Sequence, residues 1–211
     1  MLAMTSIDID TPHGRAVAHL RAAAEPAGLL MLGHGAGGGI GAPDLVAVSG
    51  VALELGVSVA LVEQPYRVAG RRSPAPARQL DAAWIAVAQA LLAGEREGLP
   101  LLVGGRSSGA RVACRTAAQT GAAGVLCLAF PTQPPQRQGK DRAPDRLYEL
   151  DAVEVPLLIV QGEGDPFGMP PAAPGRDVVA VRGNHSLRSD MNAVAAAVAR
   201  WLPGIVSGSG Y

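Results

Sequence analysis

Short apolar segments recur along the chain, and most are followed by a glycine or polar loop and then by residues with helical spacing. They are apolar at consecutive positions rather than at alternate ones, which is typical of strands covered on both faces of a sheet. We predict strands at residues 28–32, 57–62, 101–103, 125–130, 155–160 and 178–181. Residues 7–10 and 15–20 flank a Pro-His-Gly turn and are predicted to form a hairpin.

Apolar stripes at helical spacing lie between the predicted strands. They comprise Leu45, Val48, Ala52 and Leu55; Leu80, Trp84, Val87 and Leu91; and Met191, Val194, Val198 and Trp201. Gly56 and Gly94 are placed to end the first two helices, and Ser189 is placed to N-cap the third. This alternation predicts an α/β fold with a mostly parallel central sheet and helices on both faces.

The length of 211 residues favours a single domain over 1–204, followed by a flexible tail over 205–211. Segments 64–77 and 131–144 are rich in proline and polar residues and interrupt the alternation. Each follows a strand, where functional loops of an α/β sheet gather, and each is equally typical of a solvated connector. The second is too short for a helical cap domain, so we expect an open site.

The balance of charge argues against two classes of partner. Eighteen basic residues are matched by eighteen acidic ones, so no chain-wide field favours nucleic acid or an anionic membrane. No apolar run approaches the ~18 residues of a membrane span, and the N-terminus does not resemble a signal peptide. We therefore expect a cytoplasmic protein. Cys114 and Cys127 lie among apolar residues and are predicted to be core residues rather than a disulfide or metal site.

The pentapeptide Gly105-Arg106-Ser107-Ser108-Gly109 directly follows a predicted strand and matches the nucleophile-elbow pattern G-x-S-x-G. In such a turn a serine stands on a strained corner, so the positions two residues before and after it must lack side chains. The next backbone N–H, that of Ser108, then points toward the oxyanion that develops on the substrate. Short matches also arise by chance, and the strand–turn–helix context is what favours Ser107 as a nucleophile.

Residues 33–39 read Gly-His-Gly-Ala-Gly-Gly-Gly and allow two interpretations. A hydrolase with this elbow takes a second oxyanion donor from a glycine-rich loop at this place, and we assign Ala36 to that role. The same run also fits the dinucleotide-binding pattern G-x-G-x-x-G, with Glu63 at the end of the next strand as the ribose-binding acid. Taken alone, the loop does not decide between them.

Asp165 and His185 complete a set with Ser107. Each follows a predicted strand, so a parallel sheet places all three at one edge, and their chain order is the one that hydrolases with this elbow use. A histidine takes the serine proton and returns it to a leaving group, while a buried acid fixes its tautomer. Glu163 is an alternative acid. Structural roles are assigned to the histidines outside this order, which are His13, His19 and His34.

Six segments together resemble a known family. They are GHGAGG at Gly33, EQPYRVAGRR at Glu63, GGRSSGAR at Gly104, LAFPTQPP at Leu128, QGEGDPFG at Gln161 and GNHS at Gly183. In this order they resemble the α/β-hydrolases of the dienelactone-hydrolase-like kind. The nearer resemblance is to a compact subgroup that includes the testis-expressed hydrolase-like protein and the hydrolase-like subunit of the NSL histone acetyltransferase complex.

The resemblance implies a single lidless α/β-hydrolase domain with Ser107 as nucleophile, Asp165 as acid and His185 as base. It implies no cofactor and no metal. It implies no particular substrate, because some members of the subgroup act as protein subunits rather than enzymes. One position departs from the pattern of many esterases, since Arg106 stands where they carry an aromatic residue or histidine. That departure argues against a lipase-like preference.

These features predict a serine hydrolase that cleaves a carboxylic ester or related acyl bond of a small-molecule substrate through an acyl-enzyme. A dinucleotide-binding protein would leave the Ser-Asp-His set unexplained, and a catalytically silent binding module has no need of a strained elbow; both remain alternatives. Substrate binding is assigned to Gly35, Tyr66, Arg67 and Arg106, because a guanidinium suits a carboxylate or phosphate. The alternative for Arg106 is an inward side chain paired with Glu63. The sequence does not fix the oligomeric state.

Overall fold

The computed structural model describes residues 4–133 and 144–208. Their strands form an eight-stranded sheet with the order β1-β2-β4-β3-β5-β6-β7-β8. The strands are β1 (Thr5–Thr11), β2 (Gly14–Arg21), β3 (Gly28–Gly33), β4 (Val57–Glu63), β5 (Leu101–Arg106), β6 (Gly124–Leu128), β7 (Leu157–Gly162) and β8 (Arg176–Val181). β1 and β2 form the predicted antiparallel hairpin, β2 also pairs antiparallel with β4, and the remaining pairs are parallel.

Helices lie on both faces of this sheet. They are α1 (Pro43–Glu54), α2 (Pro65–Val68), α3 (Ala77–Leu91), α4 (Ser108–Thr120), α5 (Leu147–Asp151) and α6 (Met191–Val206), with a short 3₁₀ turn at Gly94–Arg96. α1 and α6 bury Leu45 and Trp201 against one face of the sheet. α3 and α4 bury Trp84 and Ala113 against the other face. The predicted mostly parallel sheet with helices on both faces is confirmed.

In β5 and β6 the difference between the predicted and the observed end changes where a loop begins. β5 continues to Arg106, so the strand leads directly into the corner at Ser107. β6 stops at Leu128 rather than at 130, because Ala129 adopts a φ of 52° and turns the chain away from the sheet. Both differences lie at the carboxyl edge of the sheet, where loops begin.

The last helix differs from the prediction at both of its ends. Its N-cap is Asp190 and not Ser189, because the Asp190 carboxylate accepts the Ala193 N–H at 3.0 Å. The helix continues to Val206, past the predicted domain end at 204, since Ile205 is buried in the core between α6 and the sheet.

The segments that interrupt the alternation take different forms. Residues 64–77 contain the one-turn helix α2 and lead into α3. Most of 131–144 falls on residues 134–143, which lie outside the described residues. Within 4–133 and 144–208 the elements form no cap domain, and no helix is long and apolar enough to cross a membrane. Cys114 and Cys127 are buried free cysteines with their Sγ atoms 3.4 Å apart.

The carboxyl ends of β3, β5, β7 and β8 lie at one edge of the sheet. Gly33 at the end of β3 is in register with Gly105 in β5, and Gly162 at the end of β7 is in register with Val181 at the end of β8. The loops that leave these strands therefore converge, as is usual for ligand sites of open α/β sheets.

Candidate active site

Ser107 lies at the corner between β5 and α4. Its backbone has φ 52° and ψ −107°, a conformation that costs a residue with a side chain on the order of 1–3 kcal/mol. Close packing holds this corner: a Cβ added at Gly105 would lie 2.5 Å from the Gly33 carbonyl oxygen, and one at Gly109 would overlap the same backbone. The Ser107 N–H also donates to the Leu128 carbonyl at 2.9 Å. The two glycines are therefore needed for the strained turn to pack against β3.

His185 connects Ser107 to Asp165. Its Nε2 lies 3.0 Å from the Ser107 Oγ, and its Nδ1 lies 2.8 Å from the Asp165 Oδ2. A carboxylate only accepts hydrogen bonds, so Nδ1 carries the proton and donates it to Asp165. In this tautomer Nε2 has a free lone pair, which accepts the hydrogen bond from the serine hydroxyl. The arrangement is that of a general base held between a nucleophile and an acid.

The Asp165 carboxylate is almost fully buried, with only 1% of its side chain exposed. It nevertheless accepts hydrogen bonds from three donors. The Phe167 N–H donates to Oδ1 at 2.9 Å. The Gln161 Nε2 donates to Oδ2, also at 2.9 Å, and the His185 Nδ1 donates to the same oxygen. The Phe167 ring packs edge-on against the imidazole, with ring centroids 4.5 Å apart. Glu163, the alternative acid, is exposed, and His185 bonds Asp165 instead.

The glycine-rich loop after β3 carries Ala36 toward the same place. Both the Ala36 N–H and the N–H of Ser108, the first residue of α4, lack a hydrogen-bond acceptor among the described residues. The Ala36 carbonyl is held from behind, where it accepts the Tyr66 hydroxyl at 3.1 Å. Burial lowers the pKa of His34, whose Nδ1–H donates to the Gly35 carbonyl at 2.9 Å, so this histidine supports the loop as a neutral ring.

A groove of about 640 Å³ opens over Ser107 and His185. One wall is the glycine loop from Ala36 onward, and the other includes Phe167, Ser186 and Arg188. Arg106 also lines the groove, and no acidic side chain is among its described lining residues. A second groove of about 570 Å³ lies between β8 and α6, away from all three of these reactive side chains. The first groove is therefore the candidate active site.

The Arg106 side chain turns inward and joins separate loops, as in the alternative interpretation, but its acidic partner is not Glu63. Its Nε lies 2.9 Å from the Oδ2 of Asp44, and its Nη2 donates to the His185 carbonyl at 2.8 Å. Glu63 instead bonds His19 at 2.9 Å, across the β2–β4 pair. The prediction failed because the inward-turned guanidinium meets the start of α1 rather than the end of β4.

The other residues assigned to substrate binding lie behind the groove rather than among its described lining residues. Tyr66 is 3% exposed and acts on the loop through the Ala36 carbonyl. Arg67 follows it in α2 and does not line the groove. Gly35 lies against Arg106, since an added Cβ would be 3.1 Å from the Nη1 atom.

Three residues around the site were not predicted from the sequence: Asp44, Gln161 and Phe167. Gln161 and Phe167 belong to the same short segment as Asp165, and this proximity was an available signal. The sequence signal for Asp44 was weaker, because an acidic residue in the first turn of a helix is common and does not by itself indicate a site.

Comparison with known proteins gives a sequence-family match and solved structures of the same fold. The chain matches the sequence family described as Alpha/beta hydrolase domain over residues 26–190. No curated protein matches it significantly. The chain is also similar to solved structures that are less than 20% identical to it, and at that identity the likeness shows the fold alone.

Three of these structures cover nearly the whole chain. A lidless α/β serine hydrolase from Xanthomonas campestris has a TM-score of 0.73 and 19% identity, covering 96% of this chain and 98% of its own. A dienelactone hydrolase from Anabaena variabilis has a TM-score of 0.77 and 15% identity, with the same coverage of 96% and 98%. The esterase domain of a Rhodothermus marinus protein has a TM-score of 0.68 and 15% identity, covering 97% and 100%.

Proposed function

The chain belongs to the Alpha/beta hydrolase domain family, and from this premise we propose that it is a serine hydrolase that cleaves a carboxylic ester or related acyl bond. The observation that carries the proposal is the single imidazole of His185, bonded at one nitrogen to Ser107 and at the other to Asp165. On its sequence segments we place the chain nearest the compact dienelactone-hydrolase-like subgroup. The proposal is of a cytoplasmic enzyme that acts on a small molecule without a cofactor.

The proposed reaction has two half-reactions. The Ser107 Oγ attacks the acyl carbon while the His185 Nε2 takes the hydroxyl proton. Nε2 then gives that proton to the leaving oxygen as its bond to carbon breaks, and the acyl group remains on Ser107. A water molecule attacks this ester, His185 takes a proton from it, and that proton returns to Oγ as the acid leaves. Asp165 stays ionised and stabilises the imidazolium.

The negative charge that develops on the acyl oxygen needs donors that are already in place. The N–H groups of Ala36 and Ser108 are assigned this role, because Ala36 lines the groove together with Ser107 and Ser108 follows Ser107 in the chain. Neither N–H has an acceptor among the described residues. Donors that need no rearrangement typically contribute a factor of roughly 10²–10³ each to the rate.

The groove favours small or well-exposed acyl groups. Its wall from Ala36 to Gly39 is glycine-rich and presents backbone rather than side chains, and the Phe167 ring supplies an apolar surface opposite. A long lipid chain would find no enclosed tunnel among these lining residues.

A fluorophosphonate probe tests the proposal directly. Because the probe reacts with an activated serine, it should label Ser107 alone, as mapped by mass spectrometry of the digested protein. Ser107→Ala should abolish labelling with the melting temperature preserved. Ser186→Ala is the matched control, since Ser186 lines the same groove but its hydroxyl bonds Asn184 rather than the imidazole.

Two results would contradict the proposal. Labelling at Ser108 would mean that the nucleophile is misassigned. A folded protein that is not labelled at all, with a probe shown to react with another serine hydrolase, would favour the catalytically silent binding module.

A further inference from the structure

The Arg106 guanidinium contacts three separate segments around the groove. Its Nη2 donates to the main-chain carbonyl of His185 at 2.8 Å, and its Nε lies 2.9 Å from the Asp44 carboxylate. Its Nη1 lies against Gly35, where even a Cβ would come within 3.1 Å. Only 19% of the side chain is exposed. One side chain therefore contacts the loop that carries His185, the first turn of α1 and the glycine-rich loop.

Asp44 holds Arg106 in this position. The carboxylate is fully buried, and its other oxygen accepts the Leu45 N–H at 2.9 Å in the first turn of α1. Burial raises the pKa of Asp44, and the adjacent Arg106 guanidinium opposes that rise. Among the described residues, Arg106 is the cation paired with this carboxylate. Moving the guanidinium away would leave a buried carboxylate without a counter-charge, which is energetically costly, so the pairing holds Arg106 in place.

We infer that Arg106, anchored by Asp44, is a positioning residue that fixes the backbone of His185 so that its imidazole stays within reach of Ser107. This inference rests on the proposed function. It replaces the assignment of Arg106 to substrate binding, because Nε and Nη2 already face the Asp44 carboxylate and the His185 carbonyl. A bidentate grip on a carboxylate needs two adjacent free nitrogens.

Steady-state kinetics on a neutral short-chain ester separate positioning from binding. Arg106→Gln should lower kcat roughly 100-fold with KM little changed, the size expected when a reacting group shifts by about 1 Å. Arg188→Gln is the matched control, since it removes the same charge from the same groove. The Arg188 side chain has no described contact with Asp44 or with the His185 carbonyl. Its effect on kcat should be much smaller.

Two kinetic outcomes would overturn the inference. Equal losses of kcat in Arg106→Gln and Arg188→Gln would assign the effect to the charge of the groove. A variant Arg106→Gln that keeps kcat and raises KM only for an anionic ester would assign Arg106 to substrate binding.

A double variant keeps the test interpretable if Arg106→Gln folds poorly with Asp44 left unpaired. In Arg106→Gln/Asp44→Asn both side chains are neutral, so the melting temperature should recover while kcat stays low. Recovery of kcat together with stability would overturn the inference, because Arg106 would then act only by neutralising Asp44.

A spectroscopic measurement distinguishes failure of this inference from failure of the proposed function. The proton that His185 Nδ1 donates to Asp165 should give a low-field NMR resonance whether or not the protein turns over an ester. Arg106→Gln should shift or broaden that resonance, and Arg188→Gln should not. An unchanged resonance in Arg106→Gln would overturn the positioning role, whereas absence of Ser107 labelling in the wild type would contradict only the proposed function.

Discussion

The proposed nucleophile and the proposed base of this site are held in different ways. Ser107 is held by backbone packing, because Gly105 and Gly109 place the corner against β3 and the conformation has no room to relax. His185 is held by side chains, through the Asp165 carboxylate at its ring and the Arg106 guanidinium at its carbonyl. The corner thus depends on backbone contacts with β3 and with Leu128, whereas the imidazole depends on side-chain contacts from other segments.

This difference predicts how substitutions at the Ser107 corner and around His185 affect the protein. Substitutions of the corner glycines, Gly105 and Gly109, act through sterics and should reduce stability before they reduce chemistry. Substitutions around the imidazole create no steric overlap with the backbone, so they should act first on the chemistry. Where they change the Arg106–Asp44 pair, they should also change the balance of buried charge.

Removing the base is expected to have the largest effect. His185→Gln leaves the Ser107 corner intact but provides no acceptor for the hydroxyl proton, so ester turnover should fall by roughly 10⁴-fold or more. Rates of hydrolysis of a neutral short-chain ester by both proteins check this. A His185→Gln variant that keeps most of the wild-type rate would mean that His185 is not the base.

The second effect is a change in how stability depends on pH. Without the guanidinium, the pKa of Asp44 rises further above its unfolded value, so folded Arg106→Gln holds a proton that the unfolded chain releases. Its stability should therefore match the wild type most nearly in acid and fall progressively as the pH rises above the ordinary range of an aspartic acid. At neutral pH the deficit should reach about 3–5 kcal/mol.

Urea unfolding at several pH values measures this deficit. Arg106→Gln/Asp44→Asn serves as the control, because it lacks the titrating carboxyl. Its stability should carry none of the pH dependence that Asp44 gives to Arg106→Gln and, more weakly, to the wild type. A deficit of Arg106→Gln that is the same at acid and neutral pH would contradict the assignment of this effect to Asp44.

The third effect concerns the corner. Gly105→Ala introduces a Cβ 2.5 Å from the Gly33 carbonyl oxygen, at a φ of 159° that glycine adopts readily, and should destabilise the fold by about 3 kcal/mol. Gly37→Ala is the matched control, since a Cβ there meets nothing within 4 Å. Thermal unfolding of the two variants compares them. Equal melting temperatures would mean that the corner is not held by backbone packing.

The same division explains what the sequence predicted. The turn around Ser107 and its first-neighbour donor Ser108 follow from local glycine spacing, and Asp165 and His185 follow from chain order in a parallel sheet. These positions depend on short-range sterics and on topology, both of which a single sequence carries.

The Arg106–Asp44 pair depends instead on how α1 docks beside the corner, and a single sequence does not contain that information. Both Asp44 and Glu63 are acids near the carboxyl edge of the sheet, and only the packed structure selects the first. Tyr66 was placed near the site for the right reason, since its loop does leave that edge. Its hydroxyl points to the back of the Ala36 loop because α2 turns the ring into the core.

The unfavourable backbone of Ser107 also bears on the balance between stability and activity in this protein. A domain of this size is stable by only about 5–15 kcal/mol, so a residue that costs about 1–3 kcal/mol uses an appreciable part of that margin. Glycine would adopt the same φ of 52° at less cost, so stability alone would favour glycine at this position. A serine here is the residue that a stability–activity trade-off predicts if its hydroxyl serves the proposed reaction.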